Sequence, residues 1–167
     1  TGAPKDAFFG GTRRARISSQ CLKRSVREYF KTQNNTWVAH RTKRLVMELN
    51  DRLSKRLQTH KDFSQENLLK AIEAAVCSLG SKKKVKVDKE LKTDVLLFLS
   101  PAEIDAMETV VADSFSDLLK TKIPDSALQD LNGAIDGDNK ARLSVDVALF
   151  GRMLAVMPEK NQNAACQ

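Results

Sequence analysis

Apolar residues recur along the chain mostly at helical spacing, interrupted by short polar and charged stretches. Near the start, Ala15 and Ile17 alternate with Arg14, Arg16 and Ser18. That period of two predicts a short strand over residues 13–18 with one apolar and one cationic side. Gly10-Gly11 ahead of it marks a sharp turn or a close backbone approach. A helix is expected over residues 20–30, capped by Ser18 or Ser19, with Leu22, Val26, Tyr29 and Phe30 as its apolar stripe.

After the polar break Gln33-Asn34-Asn35, residues 36–60 read as one long helix with Val38, Leu45, Val46, Leu49, Leu53 and Leu57 inward. Ser64 caps a further helix that ends near Leu79, with Gly80 suited to the position after it. Residues 95–99 are wholly apolar and predict a buried strand. Ser100-Pro101-Ala102-Glu103 carries a capping box with proline at the first helical position, so a helix should run from there to about Leu119. A small helix over residues 126–131, stopped by Gly133, precedes a turn at Asp136-Gly137-Asp138-Asn139. Residues 143–150 alternate as a strand, with Val145, Val147 and Leu149 on one face, and residues 163–167 read as the start of a helix. No internal repeat is visible.

Charge changes this picture more than composition does. At 167 residues and 41 % apolar content, the chain is long enough for a domain with a packed core. Aromatic content of 5 % argues against a broad base-stacking platform. No apolar run approaches the ~20 residues that span a bilayer, and no signal peptide is visible, so a cytoplasmic protein is expected. Cys21, Cys77 and Cys166 are far apart and offer no zinc motif. The net charge of +7 is unevenly spread: residues 1–61 carry a net +11, residues 62–100 carry +1, and residues 101–167 carry −5. Such a chain has a directed field that steers a polyanion to one end.

Register sharpens that reading. Lys23, Arg27 and Lys31 lie at i, i+4 and i+8, with Arg24 beside them. Like charges at this spacing weaken a helix by a few tenths of a kcal/mol per pair, so the ridge implies a counter-anion such as phosphate. A solvated surface face is the alternative. Lys82, Lys83, Lys84 and Lys86 form a second basic stretch, a loose electrostatic patch for DNA or a solvated loop.

The run Lys5-Asp6-Ala7-Phe8-Phe9-Gly10-Gly11, continued by Arg13-Arg14-Ala15-Arg16-Ile17-Ser18-Ser19-Gln20 and by Leu22-Lys23-Arg24 and Arg27, resembles the repeated backbone subunit of the type I-E CRISPR surveillance complex Cascade, the CasC or Cas-seven family. Asp146-Val147-Ala148-Leu149-Phe150-Gly151-Arg152-Met153 is similar to a later motif of that family. The resemblance implies an α+β fold: a modified RNA-recognition-motif, ferredoxin-like palm with a large inserted helical domain. Residues 1–35 would begin the palm, 36–141 would form the helical fingers, and 142–167 would return to the palm. Family members carry a strand before the opening block and continue past Gln167, so the chain is expected to be mostly helical and a portion of that fold.

By the same resemblance, the expected ligand is CRISPR guide RNA, held by its backbone without regard to sequence. The expected partners are further copies of the chain in a helical filament, other Cascade subunits and target DNA, in an antiviral ribonucleoprotein. Residues matching family guide-RNA contacts are Lys5, Ser18, Ser19, Gln20, Lys23 and Arg27, with Arg24 adjacent. Arg13, Arg14 and Arg16 join them from the cationic strand. Met153 is a candidate wedge between bases, with a core methionine as the alternative. No cofactor is implied and no enzyme is expected. Related backbone subunits cut RNA with an aspartate and a metal. Asp6, however, stands beside Lys5 with only Glu28 as a further acid in the first 31 residues, whereas two-metal chemistry wants convergent carboxylates. Asp136 and Asp138 lack the closing Glu of a calcium loop. A general nucleic-acid-binding helical protein, with the helix from Gln20 as reader, is the remaining alternative.

Overall fold

A computed structural model of the chain describes residues 5–80, 84–135 and 142–165. The chain is α+β and mostly helical, as expected, with two small antiparallel sheets. The first sheet is a hairpin of β1 (Asp6–Phe9) and β2 (Thr12–Ala15), paired from Asp6↔Ala15 to Phe9↔Thr12. Gly10 and Gly11 both have positive φ, at 61° and 73°, which is the backbone a two-residue hairpin turn requires. The expected strand is there, and the run before it forms its partner.

Helix α1 (Ser19–Gln33) follows, with the Ser18 hydroxyl accepting from the Cys21 N–H as its N-cap. None of its residues is buried, and Leu22 and Tyr29 of the expected apolar stripe are more than half exposed. The core is built elsewhere, from α2 (Leu45–Arg56), α3 (Gln65–Cys77), α4 (Pro101–Asp113), α5 (Phe115–Leu118) and α6 (Asp125–Ala134). Leu45, Leu49, Leu53, Leu68, Ile72, Ile104, Met107 and Leu131 are fully buried there. Arg52 of α2 bonds Glu48, and Asp105 of α4 at 2.6 Å. Burial alone lowers its pKa, but the Asp105 hydrogen bond and the Glu48, Asp105 and Glu108 charges more than reverse this and raise it.

Several expectations are corrected. The long helix over residues 36–60 is absent. Asn35–Trp37 is a 3-10 turn, and β3 (His40–Thr42) pairs with β4 (Leu97–Leu99) in the second sheet, so the helix begins only at Leu45. A pairing across more than fifty residues overrides the local period. The expected strand over residues 143–150 is instead the short helix α7 (Val145–Phe150). Its valines favour strands, yet the segment has no strand partner and buries Val147 while leaving Val145 exposed. The helix from Ser100 breaks at Ser114 into α4 and α5, and α6 runs through Gly133 rather than stopping there.

Other expectations hold. The buried strand is there as Leu97–Leu99, and Ser64 caps α3 through the Asn67 N–H. The Ser100 capping box has both of its bonds. Gly80 has φ 101°, two residues beyond the C-cap Ser78. One expectation does not hold: residues 163–165, read as the start of a helix, are not helical. The turn expected at 136–139 and the final residues Cys166 and Gln167 lie outside the described residues. Among the described residues no helix is long and apolar enough to cross a membrane.

Candidate nucleic-acid interface

Two polar ties bring the segments after α1 and after β4 into one site. The first is made by Asp146, in the first turn of α7 and fully buried. Its Oδ2 accepts from Arg27 Nε of α1 at 2.9 Å. Its Oδ1 accepts from the Ala39 N–H, just before β3, and from the Ser144 hydroxyl. The second tie is Arg152, whose guanidinium is buried against Glu103 at 2.6 Å. The same Glu103 oxygen accepts from the Ser100 N–H in the capping box of α4, and Arg152 also donates to the Phe98 carbonyl. Arg152 Nε and Glu103 Oε1 are left without partners among the described residues, so the pair is held by one strong contact rather than a fork.

Between these ties lies an open groove of about 1360 Å³. Gln20, Lys23, Arg24, Arg27 and Lys31 of α1 line one wall. Residues of β3, including His40 and Arg41, line the other, together with Leu96 and Phe98. Phe150, Gly151 and Met153 also line it. A cation–aromatic series runs through its lining. The Arg41 guanidinium stands 4.7 Å from the Phe98 ring centroid, and that of Arg27 stands 5.6 Å from Phe98 and 5.1 Å from Phe150. Lys23 lies 5.8 Å from Phe150. Stacking of this kind orients a guanidinium while leaving its N–H donors available. Lys31 is partly committed to Glu28 at 3.0 Å, whereas Lys23, Arg24 and Arg41 have no carboxylate partner among the described residues.

The predicted residues divide between two places. Gln20, Lys23, Arg24, Arg27 and Met153 come together in the groove. Met153 is 79 % exposed and is not packed in the core of the described residues. Arg27 is in the groove but anchored to Asp146. Lys5, Arg13, Arg14 and Arg16 belong to the hairpin segment and do not line it. Arg13 pairs with Asp6 across the strands, and Arg14 lies over Phe9 on the opposite hairpin face. Ser18 is spent as the α1 cap, and Ser19 is exposed at the helix start. Lys84 and Lys86 are exposed and outside the groove, while Lys82 and Lys83 lie outside the described residues.

Asp6 therefore has an arginine partner. Among the described residues no group of three or more His, Cys, Asp or Glu is placed to hold a metal ion. Sequence reasoning missed Arg41, Phe98 and Leu96, because it put Arg41 inside a helix. The sequence signal for Arg41 was the interruption of the apolar period after Val38.

An α+β chain with a basic, part-apolar groove beside its first helix is thus the class that the geometry defines. The chain belongs to the CT1975-like protein family, whose profile matches residues 1–167. A comparison with curated proteins finds no match. Among solved structures, it is similar to a chain of a "CRISPR RNA-guided surveillance complex, pre-nicking", with 26 % identity and a TM-score of 0.72. It is also similar to a chain of a "CRISPR RNA-guided surveillance complex", with 28 % identity and a TM-score of 0.69. Both alignments cover 98 % of this chain but only 44 % and 50 % of those chains, so it spans about half their length.

Proposed function

We propose that the chain binds CRISPR guide RNA along its backbone, without regard to sequence, as a non-catalytic subunit of a type I-E surveillance complex of the Cascade class. The observation that carries this reading is the groove, where cations from α1 and β3 face each other beside the exposed apolar side chains of Met153 and Leu96. Lys23, Arg24 and Arg41 contact phosphates, which position a strand without reading it. Met153 and Leu96 contact unstacked bases. The hairpin arginines and Lys5 extend the cationic surface toward a palm of RNA-recognition-motif type. Family membership and the similarity to surveillance-complex chains support the same role. In the whole assembly, copies stack as a filament with other Cascade subunits in the cytoplasm, and the basic segment with Lys84 and Lys86 lies toward target DNA.

Binding of the purified chain to single-stranded RNAs of unrelated sequence, measured over a range of salt, tests the reading. Lys23→Ala and Arg41→Ala should each lower affinity for every sequence alike and reduce the log–log salt slope by about 0.7. A loss confined to one sequence, or RNA cleavage that Asp6→Ala abolishes, would overturn it.

A further inference from the structure

Asp146 is an unusual group to find beside a groove for a polyanion. It does not line the groove, yet it bonds Arg27 of α1 and the Ala39 N–H just before β3, both groove-lining residues, and the Ser144 hydroxyl at the start of α7. Arg27 sits midway along α1, within one turn of Lys23 and Arg24. Ala39 lies two residues before Arg41. Helix α7 ends at Gly151, two residues before Met153. One buried carboxylate thus meets three of the backbone segments that carry groove side chains, the β4 segment with Leu96 and Phe98 being a further one.

We infer that Asp146 is a positioning residue for RNA: it sets the spacing of the groove walls through Arg27, so that Lys23, Arg24 and Arg41 reach one strand together. This rests on the proposed RNA-binding role. Electrostatics and positioning predict opposite outcomes for one substitution. Asp146→Asn removes a negative charge near a polyanion site, so charge alone makes RNA bind more tightly. If the carboxylate positions Arg27, its loss turns an amide toward a guanidinium, and α1 shifts.

The test uses the full chain and a fluorescein-labelled single-stranded RNA. Asp146→Asn should weaken binding about tenfold, the scale of one charge-assisted hydrogen bond. Trp37, the only tryptophan, packs edge-on against Phe30 of α1 at 6.0 Å, so its emission should shift with the helix. Arg27→Lys keeps the charge but lacks the Nε donor that meets Asp146, and should bind several-fold more weakly where charge alone predicts no change. Arg27→Gln with Asp146→Asn restores a neutral hydrogen bond, and should bind within about twofold of Asp146→Asn alone rather than additively worse. RNA bound by the wild type, with Asp146→Asn equal or tighter and Trp37 emission unmoved, overturns the inference alone. No binding by the wild type overturns it together with the proposed function. Should Asp146→Asn fail to fold by circular dichroism, Arg27→Lys decides, and unchanged affinity there overturns the inference.

Discussion

At the scale of single residues, glycines show how geometry and space act separately. Gly151 has φ +72°, and a Cβ there would meet the Gln162 carbonyl at 2.6 Å and the Ala164 nitrogen at 2.9 Å. The Arg152–Gln162 bridge closes against that bare backbone, which is why the chain can turn from α7 to present Met153. Gly11 shares the positive φ but has nothing within 4 Å, and Gly133 is helical with open space around it. Three thermal melts should therefore rank. Gly151→Ala should cost roughly 3 kcal/mol or more through strain and clash. Gly11→Ala should cost about 1 kcal/mol. Gly133→Ala should stabilise by about 0.5–1 kcal/mol. Each kcal/mol corresponds to about 2–4 °C in Tm at this size. A Gly151→Ala protein that melts with the wild type would refute the tight approach. Local chemistry made Gly10-Gly11 and the Ser18 cap readable from sequence. The Asp146 and Glu103 partnerships join residues 119 and 49 positions apart, which no spacing rule reports.

At the scale of elements, the helices whose apolar faces meet the core were legible. The inward faces of α2, α3 and α4 follow a 3.6-residue period because that period is what packing selects. The failures fall where a partner lies far along the chain. Residues 40–42 took the period of the helix beside them, although β4 holds them as a strand. Residues 145–150 alternated like a strand, although burial of Asp146 and Val147 together suits a single helical turn. The capping box of α4 is both legible and more than a cap, since its Glu103 also neutralises Arg152. Two substitutions separate these roles. Ser100→Ala removes the cap and should cost about 1 kcal/mol. Glu103→Gln retains an acceptor for the cap but leaves the buried Arg152 cation unpaired, so it should cost about 3–5 kcal/mol. Adding Arg152→Gln to Glu103→Gln should recover part of that loss, because no buried charge then remains. Urea unfolding checks the order, and a Glu103→Gln protein no less stable than Ser100→Ala would show that the ion pair is not what holds this corner.

At the scale of the whole molecule, surface area and charge are both lopsided. The chain exposes 10535 Å², against about 8200 Å² for a compact monomer of its mass by the usual scaling. In the hairpin and α1 no described residue is buried, and Phe8, Phe9, Ile17, Leu22 and Tyr29 stand open. The same segment is strongly basic, and its exposed apolar and cationic side chains share faces, with Arg14 over Phe9 and Arg13 opposite Phe8. Leu22 and Tyr29, the open part of the α1 stripe, add little to stability, whatever its period. Leu22→Lys with Tyr29→Lys should therefore leave the melting transition within about 0.5 kcal/mol of wild type, as for surface changes in general. The same pair should reduce binding of a hydrophobic dye, and any concentration-dependent self-association, because it interrupts the open patch. A large loss of stability from this pair would mean that α1 packs its stripe against the body in solution. The position of α1 on the body would then differ from the one set by Arg27 on Asp146 and by Phe30 against Trp37, and the groove beside it would change shape.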